Sequence, residues 1–231
     1  MRTARMRTGF TLLEVMVVAA VLVALAAMGV PAWRAVQANQ RLRDASSDLA
    51  DTLAVARARA IASGSNFVVY FNTGLNGGDD LCGNALVDTN GDPVPIVMLD
   101  DGPQGGVNSN CCIDPGEIVE TLPGAQGVQW GVDFATVAAP GDADPNGSFA
   151  SGPTFMDPGG ATREWVAFRP DGIPVGFNDA GGPGTCDFGT TGSGGGAIYV
   201  NNDRRDRAIV LSPLGAVKVH SFERTGAAWT N

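Results

Sequence analysis

The sequence predicts an α+β protein. One long N-terminal helix, membrane-spanning first and amphipathic after it, packs on a C-terminal antiparallel β-sheet head with long disulfide-tied loops. Three observations predict it. The 24 residues from Phe10 to Trp33 are apolar with a single charge, Glu14. Short β-branched and aromatic segments, parted by Gly, Pro, Asn and Asp turns, fill the chain after Gly64. All four cysteines, Cys82, Cys111, Cys112 and Cys186, fall in that second part.

The apolar run is long enough to cross a bilayer, which needs roughly 20 residues as a helix. MRTARMRT precedes it, with Arg2, Arg5 and Arg7 and no acid. A basic flank holds the N-terminus in the cytoplasm and sends the rest outward. A carboxylate in hydrocarbon is costly, so Glu14 needs a cationic partner or a job. Pro31 closes the densest apolar stretch and is expected to kink the helix. Beyond Trp33, Val36, Leu42, Leu49, Leu53, Ala56 and Ala60 recur at roughly helical spacing, with charges between them. That predicts a half-wet helix stopped by Gly64. A continuous helix from Phe10 to about Ser63 would be about 80 Å long.

Strands are expected at Asn66–Phe71, Ile96–Leu99, Ile118–Leu122, Val128–Phe134, Glu164–Phe168, Ala197–Val200, Ala208–Leu211 and Ala216–Phe222. Long loops run from Asn72 to Pro95, from Pro140 to Gly160 and from Gly176 to Gly196, and loops of that length are functional or mobile. About 165 residues after the helix suffice for one modest core.

The formal net charge of −9 is uneven. Residues 66–199 hold seventeen acids and two bases, whereas residues 200–231 hold five bases and three acids. An acidic middle disfavours broad binding to nucleic acid. Four cysteines in an exported region favour disulfides. A bond between the adjacent Cys111 and Cys112 is strained, so each is expected to reach out, one to Cys82 and one to Cys186; which takes which stays open. With no Cys-x-x-Cys and one histidine, zinc is disfavoured.

Gly9-Phe-Thr-Leu-Leu-Glu14 between a basic leader and an apolar helix resembles the class III signal of type IV pilins and type II secretion pseudopilins. The resemblance implies a leader, residues 1–9, cut by a prepilin peptidase between Gly9 and Phe10, with Phe10 then N-methylated. It implies an assembly helix over residues 10–33, its amphipathic continuation over 34–64 and a head over 65–231. It also implies that Glu14 pairs with the N-terminal amine of a neighbouring subunit. The segment Asn39–Val69, with FRPDGIPVG from Phe168 and DRAIVLSPLGAVKV from Asp206, is similar to the GspH/FimT group of minor pilins. The implied partners are other pilins through their N-terminal helices, the peptidase, an inner-membrane assembly platform and, before assembly, the lipid bilayer. The implied location is the bacterial inner membrane with the head in the periplasm, then a filament. The type IV pilus branch is favoured, with the type II secretion pseudopilus as the alternative. Some FimT-like members bind DNA through basic residues near the C-terminus, here Arg204, Arg205 and Lys218. Gly215-Ala-Val-Lys218 stands where that branch carries an arginine-rich motif, which weighs against DNA.

Two loops put oxygens at alternate positions, as a calcium loop does: Asp88, Asn90 and Asp92, and Asp142, Asp144 and Asn146. Both lack the closing glutamate, and the same residue types build ordinary turns. Some pseudopilins bind calcium in a loop; no other cofactor is implied. No enzyme signature is present: His220 is the sole histidine, and no Gly-x-Ser-x-Gly turn or phosphate loop occurs.

Overall fold

The computed structural model describes residues 11–74, 78–102, 110–114, 117, 119–122, 124–142, 148–179 and 186–230. The observed architecture is the expected one: helix α1 (Leu12–Ser63), followed by β-strands paired only in antiparallel fashion. Gly64, at φ +68°, donates its N–H to the Ala60 carbonyl and ends the helix. A left-handed residue there satisfies one of the last free carbonyls, and glycine adopts it without a Cβ penalty. The helix backbone continues through Pro31. The chain divides into two compact units, Met1–Gln40 and Arg41–Asn231.

In the first unit, the described apolar side chains of α1 face outward: Leu12 is 78% exposed and Leu22 61%. Val36, expected on the packed stripe, is exposed as well.

The second unit is built on two five-stranded sheets. The first runs β3 (Val119–Leu122), β2 (Ile96–Asp100), β1 (Phe67–Phe71), β7 (Trp165–Phe168) and β8 (Pro174–Val175). The second runs β14 (Ala228–Thr230), β13 (Val217–Glu223), β12 (Asp206–Leu211), β11 (Gly196–Asn201) and β4 (Gln129–Trp130). Two small ladders complete it, β5 (Phe155–Met156) with β6 (Thr162–Arg163), and β9 (Phe177–Asp179) with β10 (Cys186–Phe188).

Leu42, Leu49, Leu53, Ala56 and Ala60 form one buried stripe of α1. They pack on Phe67, Val69, Phe71, Ile96, Met98, Val166 and Phe168 of the first sheet, and on Ile198, Val200, Ile209 and Leu211 of the second. Alternate side chains point to opposite faces of a strand. The residues between them, Val68, Tyr70, Val97 and Leu99, therefore face outward, yet they too are buried, in a second cluster with Leu86, Val94, Cys111 and Phe177. On the second sheet Ala197, Tyr199, Ala208 and Val210 form a third with Ala139. Loops cover both outer faces, which is why FVVYF is buried along its whole length.

The expected strand Val128–Phe134 is cut to Gln129–Trp130. Gly131 sits at φ +87°, where a Cβ would lie 2.1 Å from the Ala150 carbonyl oxygen. The Asp206 carboxylate then takes the N–H groups of Asp133, Phe134 and Ala135 at 3.0, 2.8 and 2.6 Å. Those donors are lost to any strand ladder and instead strap the loop onto the sheet.

The two sheets also meet at Arg57. Its Nη1 donates to the Gly215 carbonyl at 2.9 Å, in the β12–β13 turn. Gly172, in the β7–β8 turn, packs on Ile61 and Arg57. A Cβ on Gly215 would sit 2.9 Å from the Gly172 carbonyl oxygen and 3.0 Å from Arg57 Nε, at φ +80°. Gly215→Ala is expected to lower stability in urea denaturation by about 2–3 kcal/mol. Gly127→Ala, also at positive φ but with nothing within 4 Å, should lose only the backbone part, about 1 kcal/mol.

Candidate functional site

Thr11 caps α1. The Glu14 N–H reaches the Thr11 carbonyl at 3.1 Å and the Thr11 hydroxyl at 3.3 Å. Glu14 thus lies in the first helical turn, where the helix dipole favours a negative charge. Thr-Leu-Leu-Glu is a capping-box pattern, a signal the opening motif carries in addition to its processing signal. The Glu14 carboxylate has no hydrogen bond or ion pair with another residue of the chain among the described contacts. Gly9 and Phe10 lie outside the described residues.

The cysteines form two disulfides, Cys82–Cys112 and Cys111–Cys186. Neighbouring residues reach opposite partners because Cys111 adopts φ +60°. The buried Asp101 carboxylate holds that conformation, accepting the N–H groups of Asn110 at 3.1 Å and Cys111 at 2.6 Å. The Tyr70 hydroxyl donates to the Cys111 carbonyl, and burial raises the Tyr70 pKa well above its ordinary value. Both bonds tie loops over the outer face of the first sheet. Closing such loops typically stabilises by about 2–4 kcal/mol.

In the loop of Asp88, Asn90 and Asp92, Asp88 Oδ1 accepts the N–H groups of Asn90 at 2.8 Å and Asp92 at 3.0 Å. Those bonds, from Asp92 first and then Asn90, hold its carboxyl below the usual range. Asp142 accepts from Thr154 Oγ1 at 2.8 Å and from the Tyr199 hydroxyl at 2.7 Å, so it points into the head. Asp144 and Asn146 lie outside the described residues. Among the described residues no three His, Cys, Asp or Glu side chains converge as a metal site requires.

The basic residues near the C-terminus are spread by strand geometry. Arg204 and Arg205 stand in the β11–β12 turn, while Lys218, at the start of β13, pairs with Val210 toward the opposite end of β12. Arg224 stacks on the Phe134 ring, 3.3 Å from its centroid. Arg207 points to the helix side instead, where its Nη1 donates to Ser46 Oγ at 3.0 Å. Burial lowers the Arg207 pKa, and the like charges of Arg43 and Arg205 add to the effect. This grouping joins residues more than 160 positions apart and had no signal in the sequence.

Residues 4–30 match the family model described as the prokaryotic N-terminal methylation motif. No curated protein and no solved structure matches the chain. The motif is the type IV pilin-type prepilin signal, and with the α+β fold it supports a place for the chain among pilin-like proteins. Helix α1 is long and apolar enough to cross a membrane by length and composition.

His220 is largely buried on β13, and burial, then the Lys218 charge, lowers its pKa below 6.5. The unfolded chain therefore takes up this proton first. Stability linked to His220 is complete above about pH 6.5 and falls as pH drops toward the folded-state value. As the only histidine, its ring signal in an NMR titration should show a midpoint below 6.5. A midpoint above 6.5 contradicts the burial argument.

Proposed function

We propose that the chain is a minor pilin, cut by prepilin peptidase between Gly9 and Phe10, N-methylated at Phe10, and assembled into a type IV pilus-type filament. The observation that carries this reading is the methylation-motif match over residues 4–30, standing directly on a helix whose apolar side chains are exposed. Before assembly the helix lies in the inner membrane with the head in the periplasm. In the filament, helices of neighbouring subunits replace lipid around it. The Glu14 carboxylate, without a partner among the described residues, then meets the new amine of an adjoining subunit, and a desolvated charge is tolerated when such a cation meets it. The GspH/FimT resemblance of the closing motifs supports the pilus branch and a role in priming or at the tip. A type II secretion pseudopilin would assemble by the same chemistry, inside the periplasm.

Mass spectrometry of the mature protein should find Phe10 at the N-terminus, methylated. Retention of Met1 would overturn the reading. Glu14→Ala should leave membrane insertion intact and cut incorporation into filaments by about tenfold or more, since losing one partner of a desolvated pair costs several kcal/mol. Filament content equal to wild type would remove the pairing role.

A further inference from the structure

We infer that Arg43, Arg205 and Arg207 form the basic half of a head-to-head contact, whose other half is the carboxylate-rich outer surface of a second copy of this chain. This rests on the filament reading above and names one of its subunit contacts.

The geometry starts at Ser46. Its hydroxyl donates to the Arg43 carbonyl at 2.8 Å and accepts from Arg207 Nη1 at 3.0 Å. Arg207 alternates with Ile209 and Leu211, so it lies on the helix side of β12. Arg205 stands two residues before it, at the end of the turn, and Arg43 lies one helical turn before Ser46. Arg43 and Arg205 are exposed, and Arg207 is half-buried. None of the three makes an ion pair: the pairs among the described residues are Arg59–Glu120, Arg163–Asp157 and Arg169–Asp171. Three like charges without an ion-paired carboxylate among the described residues repel one another, and an incoming anion relieves that repulsion.

The chain itself carries the complementary charge. Asp79, Asp88 and Asp92 belong to the loop between β1 and β2, Asp187 to β10, in segments whose Leu86, Val94 and Phe188 pack on the outer face of the first sheet, and Asp92 and Asp187 are exposed. They make no ion pair among the described residues. These acids lie on the layer opposite the helix, the arginines on the helix side. One head therefore cannot join its own two patches, but two copies can. Such a contact is heterologous, so it does not close as a two-fold dimer and each copy keeps one patch free for another subunit of the filament.

Nucleic acid fits the same cluster less well. A duplex ligand draws on an extended row of phosphate contacts. Here Arg224 is committed to Phe134, and Lys218, at the start of β13, pairs with Val210 at the opposite end of β12 from Arg207.

The test uses the full chain held as single copies in lipid nanodiscs, so that helix association cannot contribute. Sedimentation velocity should show self-association at about 0.02 M salt that is lost at about 0.5 M. Arg43→Glu with Arg205→Glu should weaken it by about tenfold or more, and so should Asp92→Arg with Asp187→Arg. Mixing the two double variants should restore association. Arg207 stays unchanged because it supports Ser46, and an unaltered melting curve verifies folding of each variant. Absence of association at low salt overturns the inference, as does association indifferent to the substitutions. So does a duplex DNA probe that binds more tightly than a second copy and is lost in the arginine variant. The two readings fail separately. Association that stands while Phe10 is unprocessed rejects the filament; processed, Glu14-dependent filaments without this contact reject the contact alone.

Discussion

The stripe of α1 from Leu42 to Ala60 organises the head. Its leucines fill the space between two sheets, and its alanines at 56 and 60 let the sheets approach the helix closely. One core thus serves α1, β1, β2, β7, β11 and β12 together. Removing apolar surface from water is the main favourable term in folding, and this seam concentrates it. Arg57 and Ile61, further along the same helix, then receive the turns of both sheets. The glycines at 172 and 215 are needed because backbone meets backbone there.

The second constraint is the outer faces. Antiparallel sheets commonly leave one face to water. Here both are apolar, so loops must cover them, and loops bring unpaired backbone groups. Three buried carboxylates answer that need. Asp206 receives three successive N–H groups, Asp101 receives two, and Asp80 receives those of Cys82, Asn84 and Ile113. The disulfides tie the same cover to the first sheet. Several acids that set the net charge are thus structural acceptors inside the head rather than surface charge.

The apolar part of α1 has the opposite character. Its described apolar side chains are exposed, and its first turn carries a carboxylate with no partner among the described residues. Water is a poor solvent for that surface; lipid or other helices suit it. The head is thus closed by internal hydrogen bonds, whereas the helix that bears the methylation motif leaves its apolar surface open.

The sequence alone determined the fold class, the apolar span with Glu14, the Gly64 stop and the central strands. β1 begins one residue later than expected, and its FVVYF run, continuous and apolar, is legible without knowledge of its partners. Tertiary structure alone decided the rest. β5, β6, β8, β9, β10 and β14 are two or three residues long, too short to show periodicity, and exist through their partners. Val128–Phe134 reads as a strand, but Asp206, seventy residues on, takes its donors. Which cysteine meets which depends on the positive φ of Cys111, fixed by Asp101 through hydrogen bonds. The grouping of Arg43 with Arg207 follows from strand register against a helix turn. Local preference can be read residue by residue, whereas long-range pairing is settled only when distant segments compete for the same donors and the same buried space.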